Sequence, residues 1–243
     1  MNILLQRSAA IAGLLLSFSA FAANPHAASA TVPTDVPPVD AHITYTRHLV
    51  SHAGVVREQS FKDHLIRRPG HIWIKRILPP RVYAGHELES AAEHQAHEHF
   101  DFATAALHLS HSSDGTLRVE YIDSHNKQVV FVPASEYAVV GFDGSWQRAG
   151  QLLTADARQR MQPSSRKSDK PDAVWLEGHR DAWFVRALWN ADKHIALVIE
   201  SGNEDGTVLR RSNVELLPQT PEAELPWKHL DGYEHLEYDD FLD

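Results

Sequence analysis

The chain contains no cysteine. That absence removes a disulfide framework, a thiolate metal site, an iron–sulfur cluster and a cysteine nucleophile together, and with them the acceptor for the lipid group of a bacterial lipoprotein. Positive charge is also scarce. Lys and Arg number 23 against 32 Asp and Glu, a formal charge of -9, so the surplus that non-specific nucleic-acid binding requires is missing. Beyond the amino-terminal segment no run approaches the ~20 apolar residues of a spanning helix. Neither a Gly-x-Gly-x-x-Gly nor a phosphate-binding loop occurs. Gly141-Phe142-Asp143-Gly144-Ser145 lacks the serine position of a nucleophile elbow. The calcium-loop rhythm beginning at Ser201 meets Ser212 where a bidentate Glu is needed, and reads as a turn. Asp239-Asp240 is a carboxylate pair in an acidic tail, where exposure gives no reason for the raised pKa of an acid catalyst. The expectation is a protein that is not an enzyme.

What is present is enough for one core. The 243 residues are 43% hydrophobic and 23% charged, which fits one domain. Residues 1–22 read as a secretory signal: Arg7 supplies the positive start, residues 11–21 a short apolar stretch, and Ala20-Phe21-Ala22 the small-x-small cleavage pattern near Ala22. The expected location is the bacterial periplasm. Residues 23–40 form a Pro/Ala-rich linker in which Pro33, Pro37 and Pro38 prevent a helix. Residues 41–220 form the folded domain, and 221–243 an acidic, aromatic C-terminal tail.

Within the domain, short runs of β-branched and aromatic residues alternate with turn chemistry, the pattern of an antiparallel sheet. Strands are expected at 42–50, 55–66, 71–78, 106–111, 116–122, 127–132, 137–142, 174–176, 182–189, 194–201 and 208–217. Glu204-Asp205-Gly206 is the clearest hairpin turn. Between 85 and 106 the spacing of Leu88, Ala91, Ala92 and Ala96 changes to that of a helix. Residues 151–161 are a second candidate helix, followed by a polar loop at 162–172. Charge is segregated. Residues 47–81 hold eight basic side chains and two acidic ones, and residues 221–243 hold eight acidic and one basic. Two readings stand: both segments are solvated faces, or the tail, with Trp227, Leu230, Tyr233, Leu236, Tyr238, Phe241 and Leu242 interleaved, docks on the basic strands.

The segment His42-Ile43-Thr44-Tyr45-Thr46-Arg47, then Gly54 and Phe61, then His64-Leu65-Ile66-Arg67-Arg68-Pro69-Gly70-His71-Ile72-Trp73 resembles the opening strands of the LolA/RseB-like superfamily of periplasmic lipoprotein carriers and regulators. The resemblance covers about residues 42–78. It implies a mainly β fold with some α (α+β), a curved, unclosed antiparallel β-barrel with a helical lid, and an apolar cavity that accepts acyl chains. The chain departs from the carriers in having the proline-rich linker where they have an amphipathic helix, which leaves residues 86–102 as the candidate lid.

A half-barrel must fill or cover its concave face, because exposed apolar surface costs about 25 cal/mol per Å². Tyr45, Phe61, Leu65, Trp73, Ile74, Trp183 and Trp189 are the large residues placed to line it. The competing reading of each is ordinary core packing. The function expected is a non-enzymatic periplasmic protein holding a lipid, acyl chain or lipoprotein, without a cofactor. Histidine, 17 residues in all, supplies an alternative. His94 and His97 share a helix face, and with His99 and neighbouring carboxylates they could bind zinc or copper. A solvated or pH-responsive histidine face is the other reading. A third expectation is a regulatory module similar to RseB, whose partner is an envelope protein. No nucleic acid and no membrane span are expected.

Overall fold

The computed structural model describes residues 36–79, 100–112, 115–170 and 172–241. The signal segment, most of the linker, the greater part of the candidate lid and His94, His97 and His99 lie outside the described residues. The fold is mainly β, built on one twelve-stranded sheet. Its strands are β1 (Val39–Val50), β2 (Val56–Arg68), β3 (His71–Ile77), β4 (Ala106–His111), β5 (Leu117–Asp123), β6 (Gln128–Phe131), β7 (Gln162–Pro163), β8 (Ala173–Arg180), β9 (Trp183–Asn190), β10 (Ile195–Asn203), β11 (Val208–Leu216) and β12 (Glu234–Glu237). Their order is β12-β6-β5-β4-β3-β2-β1-β11-β10-β9-β8-β7. Among the described residues every pairing is antiparallel except β12 with β6, and the two edges do not pair with each other, so the barrel is unclosed.

The short turns follow from backbone chemistry. Gly54 and Gly206, at φ 75° in both cases, occupy the left-handed region that the β1–β2 and β10–β11 turns require. Strict alternation then sorts side chains onto two faces. On the inner face the registers align Gln59–Arg47–Arg210–Ser201 across four strands, with Phe61–Tyr45–Ser212–Ile199 as the next row and Asp63–Ile43–Val214 beyond it. A longer row runs Leu216–Ala41–Leu65–Ile74–Leu107–Tyr121–Val130. Ala41, Ile43, Leu65, Ile72, Leu109 and Val119 are fully buried there and form the main core.

Two short helices cover this face, α1 (Trp146–Gln151) and α2 (Ala155–Gln159). Ser145 and Thr154 cap them, each side-chain oxygen accepting from the backbone N–H three residues on, at 3.1 Å. Leu152, at φ 63°, breaks the chain between them, so the helix expected over 151–161 is confined to Ala155–Gln159 and a separate helix ends at Gln151. Gly150 of α1 approaches β3 so closely that an added Cβ would lie 2.7 Å from Ile72 Cδ1.

Arg67 ties these parts together. It is 2% exposed, and its guanidinium donates to four backbone carbonyls: Pro37 (3.1 and 2.8 Å), Gly150 (2.5 Å), Lys193 (2.5 Å) and His194 (3.1 Å). Burial brings its pKa down to about 10. Next to it, Arg68 pairs with Asp40, whose other oxygen accepts from the Thr220 backbone N–H (2.7 Å) and hydroxyl (2.5 Å). The start of β1 is thereby bound to the C-terminal segment.

Several expectations need correction. The strand expected at 137–142 is a succession of turns after a short 3-10 helix at Ala134–Glu136. Tyr137 and Phe142 pack edge to face (5.1 Å between ring centroids) and fill core, so an apolar run there reports burial and not extension. The described end of the candidate lid, residues 100–102, is not helical and leads into a turn, with Phe102 against Tyr121 at 5.2 Å. In the polar stretch 162–172, Gln162 and Pro163 form β7 against β8. Arg166 there stacks on Trp175 at 4.2 Å and pairs with Glu200 at 2.8 Å.

The tail lies on the outer face. Leu225 is buried, and Trp227, Leu230 and Tyr233 pack with it against Ile66, Trp73, Ala106, Ile122 and Val129. Apolar contact over β2 to β6 holds this segment down, and β12 then extends the sheet beside β6.

Candidate functional site: the inner-face cavities

Among the described residues, two neighbouring cavities lie between the inner face and the helices. The first, about 150 Å³, is bordered by Tyr45, Phe61, Ile74, Leu107, Tyr121 and Phe142, with Arg47 and Arg210 at its polar end. The second, about 410 Å³, lies under α2 and is bordered by Leu153, Met161, Trp183, Phe184 and Val185. They share a wall of Arg148, Leu152 and Ile199. The larger falls within the usual 300–1,000 Å³ range of small-molecule sites, and the smaller extends it along the strands.

The seven residues expected to line a trough divide. Tyr45, Phe61 and Ile74 border the first cavity and Trp183 the second. Leu65 and Trp189 share the inner face but are 0% and 5% exposed and belong to the core; Arg158 lies 4.5 Å over the Trp189 ring. Trp73 is a correction. It points outward, in the row Ile66–Trp73–His108–Glu120, and the C-terminal segment buries it. Ile74 is its chain neighbour, and adjacent strand residues cannot share a face.

Beneath the first cavity an apolar floor is flanked by the Arg76–Asp63 ion pair. Tyr45 stacks on Phe61 (4.7 Å, 25°), Arg76 lies 4.0 Å over the Phe61 ring, and its Nε donates to Asp63 at 2.5 Å. Burial raises the Asp63 carboxyl above its ordinary value even though Arg76 opposes the shift. Burial likewise raises the Tyr45 and Tyr121 phenols, so both stay neutral. Tyr121 donates to the Val140 carbonyl at 3.2 Å. Asp143 borders the same cavity and pairs with Arg148 at 2.6 Å.

Sequence reasoning missed Arg47, Arg210, Leu152 and Ile199. The signal for Arg47 was its position two residues from Tyr45, which fixes it to the same face. Arg210, and Ile199 beyond it across the β10–β11 hairpin, join Tyr45 only through the β1–β11 register, which pairs segments far apart in the chain. No pattern announces the left-handed Leu152.

A second cluster sits on the outer face. His71 Nδ1 and His108 Nε2 are 3.1 Å apart, with the two rings within 3° of parallel. His108 Nδ1 lies 3.2 Å from Glu120, whose other oxygen accepts from Arg118 Nε at 2.8 Å. The Trp227 indole lies 8° from parallel to both imidazoles, 5.0 Å from His71 and 5.6 Å from His108. Burial and the neighbouring His108 lower the His71 pKa. Burial works to raise Glu120, but hydrogen bonds from His108 and Arg118 outweigh it and hold the carboxyl low. Among the described residues no group of three or more His, Asp or Glu is arranged to hold a metal ion. Nor is any described helix long and apolar enough to cross a membrane.

No family model and no characterised protein matches the sequence. Similarity to solved structures is weak and spread over most of the chain. One, from Vibrio parahaemolyticus, is described as an outer membrane lipoprotein-sorting protein domain; it is 9% identical over 79% of this chain and 91% of its own, with a TM-score of 0.29. An uncharacterized conserved protein from Thermus thermophilus is 11% identical over 82% of this chain and 90% of its own, at 0.39. A DUF1329 family protein from Desulfovibrio piger is 9% identical over 79% and 92%, at 0.33.

Proposed function

We propose that this chain is an exported, periplasmic, non-enzymatic binding protein that holds an apolar or amphipathic ligand, such as a lipid or acyl chain, between the inner face of its sheet and the two short helices. The observation that carries the reading is the pair of cavities sharing the Arg148–Leu152–Ile199 wall, one lined by Tyr45, Phe61 and Ile74 and the other by Trp183 and Val185. An aromatic-lined space that ends at charged side chains suits a guest with an apolar body and a polar end. Export is supported by the amino-terminal sequence alone.

Native mass spectrometry of the full chain after mild extraction tests the proposal. The expected result is a population carrying acyl-chain ligands, and loss of those ligands when Ile199→Trp fills the shared wall. A protein that emerges empty, and that does not take up an added fluorescent fatty-acid probe, overturns it.

A further inference from the structure

Arg47 and Arg210 are direct cross-strand partners on the inner face, and both border the first cavity. Like charges placed opposite each other on one face repel. Each Nε is buried without a hydrogen-bond partner. Among the described residues neither arginine enters an ion pair. The rest of their row is neutral, Gln59 on one side and Ser201 on the other. Asp143, the carboxylate bordering the cavity, is engaged by Arg148. The neighbouring row, Phe61–Tyr45–Ser212–Ile199, is where the lining becomes apolar.

We infer that Arg47 and Arg210 form a seat for an oxyanion at the end of the apolar cavities, and that the guest is a single-chain amphiphile with a carboxylate or phosphate head. Two guanidinium forks are the groups that bind such heads through paired N–H donors. An anion between them neutralises their repulsion and satisfies buried donors, while the alkyl chain runs past Tyr45 and Phe61 toward Leu152 and Ile199. This inference rests on the cavity-binding reading and specifies the ligand class for the same site.

The test is competition against a fluorescent fatty-acid probe on the full chain, with four competitors: dodecanoate, dodecyl phosphate, dodecanol and inorganic phosphate. Dodecanoate and dodecyl phosphate are expected to bind at least about tenfold more tightly than dodecanol, a difference of about 1.4 kcal/mol. The stronger of the two identifies the head. In the double variant Arg47→Gln/Arg210→Gln the anionic competitors fall to the level of dodecanol, and Arg47→Lys/Arg210→Lys restores part of the preference. Should the Gln variant fail to fold, raising ionic strength on the unaltered chain must weaken dodecanoate more than dodecanol. Equal binding of dodecanoate and dodecanol refutes the anion seat and leaves the cavity reading standing. Probe uptake that fails altogether removes both. Inorganic phosphate competing as well as dodecyl phosphate marks a free-anion site and refutes the amphiphile.

Discussion

Arg67→Met keeps the buried aliphatic stem and deletes the guanidinium, which isolates what the five hydrogen bonds to four carbonyls contribute. Each carbonyl left unsatisfied costs ~1–3 kcal/mol, so four of them set an upper bound of about twelve. Two effects reduce it. Removing the charge relieves a desolvation penalty of several kcal/mol, and water can reach the part-buried carbonyls of Pro37, Lys193 and His194. The Gly150 carbonyl, in the wholly buried bond, has no such recourse. The expected net loss is about 3–4 kcal/mol, a large share of a typical total of ~5–15. It corresponds to a fall in Tm of roughly 6–16 °C for a domain of this size. Urea unfolding followed by tryptophan fluorescence reads the loss directly. Arg67→Lys is expected to lose stability as well, since one ammonium with three donors cannot span four carbonyls. A loss below about 1 kcal/mol for Met, or a Lys variant equal to the parent, refutes the assignment of Arg67 as the tie between the chain before β1, α1 and the β9–β10 turn.

Acid should weaken the fold before any carboxylate is protonated in bulk. Burial lowers the pKa of His64, His71 and His111, so the folded state binds fewer protons than the unfolded chain below the ordinary histidine value near ~6.5. Stability is full above that value and declines as pH falls toward the lowered folded pKa values. The raised carboxyl of Asp63 acts in the opposite sense at lower pH. The urea midpoint is expected to be lower at pH 5.5 than at pH 7.5, and an unchanged midpoint refutes the histidine assignment. Trp227→Ala uncovers the His71 imidazole, so its pKa should rise toward the ordinary value in a histidine-resolved NMR titration. A titration identical to the parent's would show that the indole does not desolvate that ring.

The sheet was legible wherever alternation was uninterrupted. β4 was expected at its observed bounds, and β1, β3, β9, β10 and β11 to within three residues at either end. Alternation says which residues share a face on one strand, but nothing of which strand lies beside it. The β1–β11 register, and with it the meeting of Arg47 and Arg210, was therefore hidden. Tyr137–Phe142 misled because aromatic residues fill a core equally well from a turn. Trp73 misled because its outward row is covered by a C-terminal segment whose charge suggests a solvated face, while Leu225 and Trp227 bury it. Leu152 carries no local signal, since its left-handed backbone is imposed by two capped helices that must both lie on the sheet.

The placement of β1 in the middle of the sheet shapes how the chain must assemble. From β2 outward to β6, and from β7 through β11, each strand pairs with its predecessor, so both flanks are meanders that need only local contacts. The β1–β11 ladder alone sews the flanks together, and it spans most of the domain's length in sequence. With the later β6–β12 pairing as the other distant closure, loop-closure entropy falls mainly on that seam, which makes it a slow event of folding. A chain caught midway has two half-sheets with an open border on each, and shielding those borders is the main demand it places on its surroundings.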